Sequence, residues 1–310
     1  MNEFSFIEYL RKRASNIGRV PLGIGDDAAV LDVAKDKQLV VATDVIVESV
    51  DFKISELSPE KIGRKALAVN LSDIAAMGAT PKAFVISVGK PPHVSVAWLK
   101  RFYNGLFSLS KQFDVSCVGG DFSSSKEFFA SVTIFGEARP FQIVKRSGAK
   151  KGDWIAVTGA LGGSILRRHC DFIPRVMEGL FLSEHFTPTA MIDISDGLVQ
   201  DLTHVLRSSK AGVVLDLDRI PVSLDSIKLN AGNKTKALIS ALSDGEDFEL
   251  LFTVPAWQKA NLTREWKKKF PKVQLSWIGT IIGASRKISW RRNGKPISSP
   301  KLPRQGFSHF

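Results

Sequence analysis

Aspartates recur beside glycines along this 310-residue chain: Asp26 and Asp27 in GIGDDAAV, Asp44 in VATD, Asp121 in VGGD, Asp193 and Asp196 in MIDISDG. Taken singly, each is explained as a turn former or helix N-cap, because Asp bonds its own neighbouring backbone at both places, and Asp196 fits a cap best. The set asks for more. Carboxylates gathered in a low-dielectric cleft repel one another, and a bound cation is the usual way to keep all of them ionised. Oxygen donors without nearby Cys or His select magnesium, calcium or manganese, and no EF-hand loop is present. Magnesium suggests phosphate chemistry, yet GxxxxGK[ST], GxGxxG and the protein-kinase signatures are missing, so a nucleotide would have to be held in another way. Phosphoryl transfer is chiefly positioning and charge neutralisation, which metal-bearing carboxylates and Gly-rich backbone turns can supply without a covalent intermediate. The five histidines form no HExxH and no GxSxG occurs, which disfavours zinc hydrolysis and a serine triad.

These carboxylates need elements to hold them. Residues 38–43 read as a strand, and Ser58 and Pro59 open a helix that Gly78 and Pro81 close. Its apolar stripe runs Ile62, Ala66, Val69, then Asp73, then Met77, so a carboxylate occupies a core-side position. Strands follow at 83–88, 115–118 and 128–136, with a helix over 94–112. After Arg139-Pro140 a second block begins, with strands at 153–158, 190–194, 213–217 and 248–254, a Gly-rich turn at 159–163, a helix from about Asp196 and β-like sequence over 273–282. The expected boundary lies near residue 140, giving domains 1–139 and 140–310. Lys267 to Lys269 read as the solvated face of a helix.

Composition removes other classes. The two cysteines, Cys117 and Cys170, form no CxxC pair, which leaves no zinc or iron–sulfur ligand set and no disulfide framework. No run of about eighteen apolar residues exists, and the N-terminus has two acids where a signal peptide would be basic, so a soluble cytoplasmic protein is expected. The net charge of +12 lies wholly in residues 258–310, with thirteen Lys or Arg against Glu265, while residues 1–257 balance thirty against thirty. Without interleaved aromatics or a recognition motif, this basic segment argues against a nucleic-acid partner.

The ordered motifs GIGDDAAV (23–30), ATD (42–44), ALAVNLSDIAAMGATP (66–81), VGGD (118–121), RSGAKKGDWIAVTG (146–159), AMIDISDGL (190–198) and DGEDFELLF (244–252) resemble the thiamine-monophosphate kinase family. That family belongs to a superfamily with aminoimidazole ribonucleotide synthetase and selenophosphate synthetase, and the likeness spans nearly the whole chain. It implies an α+β, two-domain fold with mixed sheets covered by helices, usually a homodimer through the N-terminal sheets. It also implies magnesium-dependent transfer of the γ-phosphate of ATP to thiamine monophosphate, giving thiamine diphosphate. By position it makes Asp27, Thr43, Asp44, Asp73, Asp121, Asp193 and Asp196 metal ligands, with Asp44, Asp73, Asp121 and Asp193 at the catalytic centre. Gly120, Asp121, Arg146 and Ser195 become nucleotide contacts, and Asp51, Glu246 and Phe307 stand on the substrate side.

The departures from the family pattern cluster on that substrate side. Asp51 replaces a usual His, Phe122 a Thr after GGD, and Asp244 a Gly before GED; Ala42 stands where a Ser or Thr assists the metal, and the stretch between Gly163 and Pro174 is short. The alternative is therefore a superfamily member using ATP and magnesium on another phosphorylated, or an amide or carbonyl, acceptor.

Overall fold

The computed structural model describes residues 9, 10, 12, 13, 33–283 and 287–302. The chain divides into two compact units, one formed by Met1–Ile74 and Ala79–Phe141, the other by Ala75–Gly78 and Gln142–Phe310.

Among the described residues, the first unit holds a four-stranded sheet and two long helices. Strands β1 (Gln38–Val47), β2 (Thr80–Lys90), β3 (Ser116–Ser124) and β4 (Phe129–Ala138) take the order β1-β4-β2-β3. The β2–β3 pair is parallel, and β4 runs antiparallel to both of its neighbours. Period-two alternation puts Val40 and Ile46 of β1 and Ala130, Val132 and Ile134 of β4 in the interior. Helix α1 (Pro59–Ala76) buries Ile62, Ala66, Leu67, Leu71 and Ile74, and α2 (Val96–Gln112), capped by Ser95 on the Trp98 N–H, buries Leu99, Phe102, Tyr103, Leu106 and Leu109. The helices touch backbone to backbone: a Cβ on Gly63 would lie 1.9 Å from Phe102 O, and one on Gly105 1.9 Å from Glu60 O. The sheet's other face stays open, with Leu39, Val41 and Val45 exposed along β1.

The second unit is a seven-stranded mixed sheet of order β11-β10-β7-β9-β5-β8-β6. In chain order it comprises β5 (Trp154–Thr158), α3 (Arg168–Asp171), α4 (Val176–His185), β6 (Ala190–Asp193), α5 (Leu198–Ser209), β7 (Gly212–Asp216), α6 (Leu224–Leu229), α7 (Lys234–Ser243), β8 (Leu250–Val254), α8 (Lys259–Lys269), β9 (Leu275–Ile282), β10 (Ile288–Arg292) and β11 (Lys295–Ile297). Ile155, Val157, Ile192, Leu202, Val205, Val213, Leu251 and Ile278 belong to one buried core cluster. On α8, Leu262 and Trp266 are buried while Lys267 to Lys269 are exposed, the solvated basic face expected of that run. Fold class thus agrees with the expectation of mixed sheets with helices.

Candidate functional site

In the first unit the carboxylates sit at the sheet's margins. Asp44 is exposed on the edge strand β1; its N–H donates to Asn70 Oδ1 at 3.1 Å, bringing α1 against that edge. Asn70 is buried and donates in turn to Ala66 O at 3.0 Å, so its amide is fixed. Asp73, one turn further along α1, is half-buried, in keeping with its place on the apolar stripe. Thr43 Oγ1 donates to Val132 O at 3.1 Å and lies 3.0 Å from Thr133 Oγ1. Each of these residues carries oxygen donors, the type a hard cation takes, while Thr43 and Asp44, as successive residues of β1, project from opposite faces of the sheet.

Gly120 and Asp121 lie on the opposite edge. A Cβ on Gly120 would stand 2.1 Å from Ile86 O, so only glycine lets β3 approach β2 there. Register carries Asp44 through Val132 and Ile86 to Gly120, three strand spacings or roughly 14 Å away. Ligands of one small cation stand about 2 Å from it, so within a single chain Asp121 and Asp44 do not share an ion.

The residues expected on the substrate side have structural partners. Asp51 Oδ2 accepts the Val47 N–H at 2.8 Å, and Lys65 Nζ donates to Asp51 O at 2.9 Å, so this carboxylate closes its own turn. The Phe122 ring lies with its centroid 6.1 Å from that of Tyr103 on α2. Asp27 and Phe307 lie outside the described residues.

In the second unit, β6 ends on buried Asp193 at the sheet's edge, opposite Leu250. The chain then turns through Ser195 and Asp196 into α5, whose N-cap position belongs to Gly197 rather than Asp196. Asp196 Oδ2 instead accepts from Gln200 Nε2 at 3.1 Å, and the N–H groups of Asp196 and Gly197 both donate to Asp201 Oδ2 at 3.1 Å. Asp201 is buried, and burial first, then the charges of Asp193 and Asp196, push its carboxyl up to about 8. Asp196, Asp201 and His204 bring one ligand atom each within 4.8 Å of one another, close enough to hold a metal ion. Sequence reading missed Asp201 and His204; their i, i+3 spacing after DISDG was the available signal. Arg146 is exposed, and its carbonyl accepts from Ser209 Oγ at 3.3 Å.

The DGED segment runs beside this turn. Glu246 N–H donates to Ser195 O at 2.7 Å, Phe248 N–H to Ile194 O at 2.8 Å and Ile194 N–H to Glu249 O at 2.8 Å, which places Ser195, expected on the nucleotide side, and Glu246, expected on the substrate side, in direct contact. Asp244 is half-buried at the C-cap of α7, and burial raises its carboxyl. Two further acids of the segment are anchored inward: Asp247 on the Gly162 N–H and Arg168, Glu249 on Arg175 and Thr158.

A family model described as "AIR synthase related protein, N-terminal domain" matches residues 25–138. Thiamine-monophosphate kinase of Rhodopirellula baltica is 37% identical over 319 residues, spanning 99% of this chain and 97% of that protein. The crystal structure of thiamine-monophosphate kinase from Stenotrophomonas maltophilia is 32% identical and superposes with a TM-score of 0.81 over 96% of this chain and 98% of that one. AaThiL complexed with AMPPCP and TMP is 28% identical, with a TM-score of 0.74 over 99% of this chain and 97% of that one. Identity sustained from end to end, over two units that each carry their share of the aspartate motifs, makes the chain a member of the thiamine-monophosphate kinase family.

Proposed function

We propose that this protein transfers the γ-phosphate of ATP to thiamine monophosphate, yielding thiamine diphosphate and ADP, in the cytoplasm and as a homodimer. The observation that carries the reading is the 37% identity to a thiamine-monophosphate kinase over 99% of the chain. The AaThiL complex with AMPPCP and TMP supports the choice of nucleotide and acceptor.

Thr43, Asp44, Asp73 and Asp121 in the first unit, and Asp193 and Asp196 in the second, are the proposed ligands for magnesium. Asp27 is proposed with them on the motif alone. Bound magnesium would neutralise the phosphate charge that these carboxylates would otherwise repel. Gly120 presents backbone where a side chain cannot stand, and the Arg146 guanidinium offers planar, charge-assisted donors to phosphate oxygens. Ser195 joins them on the nucleotide side, and Glu246, Asp51 and Phe307 are proposed for the acceptor. The acceptor phosphate is already anionic, so an oxygen of it forms the new bond to the γ-phosphorus as the bond to the β-phosphate oxygen breaks. No enzyme nucleophile and no strong general base enter.

The first sheet supports the proposed dimer. Leu39, Val41 and Val45 are 48%, 53% and 52% exposed on one face, an apolar surface suited to burial against a second copy.

Incubation of the purified protein with ATP, magnesium and thiamine monophosphate, with products identified by mass spectrometry, tests the reaction. Thiamine diphosphate forming with ADP is expected; ADP without it would transfer the assignment to another acceptor. Sedimentation at micromolar concentration tests the dimer, with Val41→Lys expected to release monomers. A wild-type monomer would refute that part.

A further inference from the structure

Asp247 lies between two residues in the left-handed region, Glu246 (φ 63°) and Phe248 (φ 50°). Non-glycine residues stay in that region only where their surroundings over-determine it. Two groups of bonds do so here. On one side, the Glu246 N–H is held by Ser195 O and the Phe248 N–H by Ile194 O, at 2.7 and 2.8 Å. On the other, Asp247, 2% exposed, accepts the Gly162 N–H on Oδ1 at 3.0 Å and on Oδ2 at 2.8 Å. Its Oδ1 also accepts from Arg168 Nη2 at 3.1 Å. Arg168 is locked by the backbone it reaches, donating to Ala160 O at 2.6 Å and Gly162 O at 3.0 Å. Gly162, at φ 82°, could not bear a Cβ without meeting Ala241 N at 2.7 Å, so the Gly-rich turn is built to present its N–H to Asp247.

We propose that Asp247 and Arg168 are positioning residues for the acceptor, holding Glu246 at the substrate and, through the Glu246–Ser195 bond, keeping the acceptor loop in register with the nucleotide loop. This rests on the assignment of Glu246 to the acceptor given above. A purely structural role for the pair would weaken the fold and depress every kinetic parameter alike. A positioning role acts on one substrate.

The test compares wild type, Asp247→Asn, Arg168→Lys, Glu246→Ala and the Asp247→Asn/Glu246→Ala double variant. It measures kcat, KM for thiamine monophosphate at saturating ATP, KM for ATP and thermal midpoint. Asp247→Asn is expected to raise KM for thiamine monophosphate about tenfold or more while KM for ATP stays within about twofold, the signature of a lost acceptor interaction. Arg168→Lys, which keeps the charge but loses the planar fork, is expected to move the same parameter less. In the Glu246→Ala background Asp247→Asn should add nothing to KM, because the two act through one side chain. Equal changes in both KM values, no change in either, or effects that multiply in the double variant would overturn the proposal. Should Asp247→Asn fail to fold, an unchanged acceptor KM in Arg168→Lys overturns it alone. Wild type forming no thiamine diphosphate would sink the functional reading before any variant is compared, and this proposal with it.

Discussion

Arg175→Ala should be among the most damaging single substitutions in the second unit, because it strands a buried carboxylate. Glu249 is 4% exposed and accepts from Arg175 Nε at 2.7 Å and Nη2 at 2.6 Å, with Thr158 Oγ1 as a third donor at 2.6 Å. Thr158 Oγ1 in turn accepts the Leu250 N–H at 2.8 Å, so the guanidinium terminates a chain of bonds reaching the first residue of β8. Arg175 also stands 3.5 Å from Glu178, whose carboxyl burial pushes up and Arg175 pulls down. Removing the arginine takes two of these three bonds from the Glu249 carboxylate and leaves two buried acids facing one another. Breaking a buried pair on one side costs about 3–5 kcal/mol. In a domain of this size each kcal/mol lowers the melting midpoint by about 2–4 °C, so a fall of roughly 6–20 °C is expected. Replacing both members by apolar residues, Arg175→Met with Glu249→Leu, leaves no stranded charge and should recover most of the loss. Urea unfolding followed by tryptophan fluorescence measures wild type, Arg175→Ala, the double variant and its two component single variants. A loss below about 1 kcal/mol in Arg175→Ala, or a double variant as unstable as the sum of its singles, would refute the reasoning.

In the first unit, Gly105→Ala should destabilise by about 1–3 kcal/mol or more, since its methyl group would lie 1.9 Å from Glu60 O and rigid backbone must move; an effect under about 0.5 kcal/mol in the same unfolding assay would contradict the close crossing of α1 and α2. Asp121→Asn is expected to lower kcat by about two orders of magnitude, roughly 3 kcal/mol of transition-state stabilisation, and near-full activity would count against a metal at β3. For Asp201 the sign follows from a carboxyl held at about 8 when folded against an ordinary 3.8, chiefly by burial. From about pH 4 to about pH 8 the folded chain keeps a proton that the unfolded chain has released, so stability falls as pH rises through this window and levels off above it. In chelator-treated protein the wild type should therefore lose more stability than Asp201→Asn between pH 5 and pH 8, and equal pH slopes would dispose of the idea.

The elements with their own punctuation were legible in the sequence. Ser58-Pro59 and Gly78 bracket α1, and alternation marks β4, because caps and period-two patterns are local signals. Strand β3 runs on to Ser124, well past the expected end at 118, because parallel pairing of Ser87 with Asp121 makes Gly119-Gly120 part of a ladder although locally they resemble a turn. The β10–β11 hairpin went unread despite Asn293-Gly294, whose φ angles of 49° and 72° are those an Asn-Gly turn supplies. The site divides along the same line. Residue type and spacing single out Asp44, Asp73, Asp121, Asp193 and Asp196, but strand order decides that Asp44 and Asp121 occupy opposite edges, and strand order is a property of distant pairings.

The same reason hid the residues that support Glu246. Arg168 reaches Asp247 across 79 positions and Arg175 reaches Glu249 across 74, and neither arginine stands in a motif. Read alone, DGEDFEL presents four acids of equal standing. Folded, it separates them by environment: Asp247 and Glu249 are buried and bound to arginines, whereas Asp244 and Glu246 remain half-buried. A buried carboxylate with its guanidinium can fix a backbone that would otherwise relax from φ 63° at Glu246, which a solvated acid could not do. The step from half-buried Asp244 and Glu246 to buried Asp247 and Glu249 therefore gives neighbouring acids different tasks, with Glu246 kept partly accessible by the inward anchoring of Asp247.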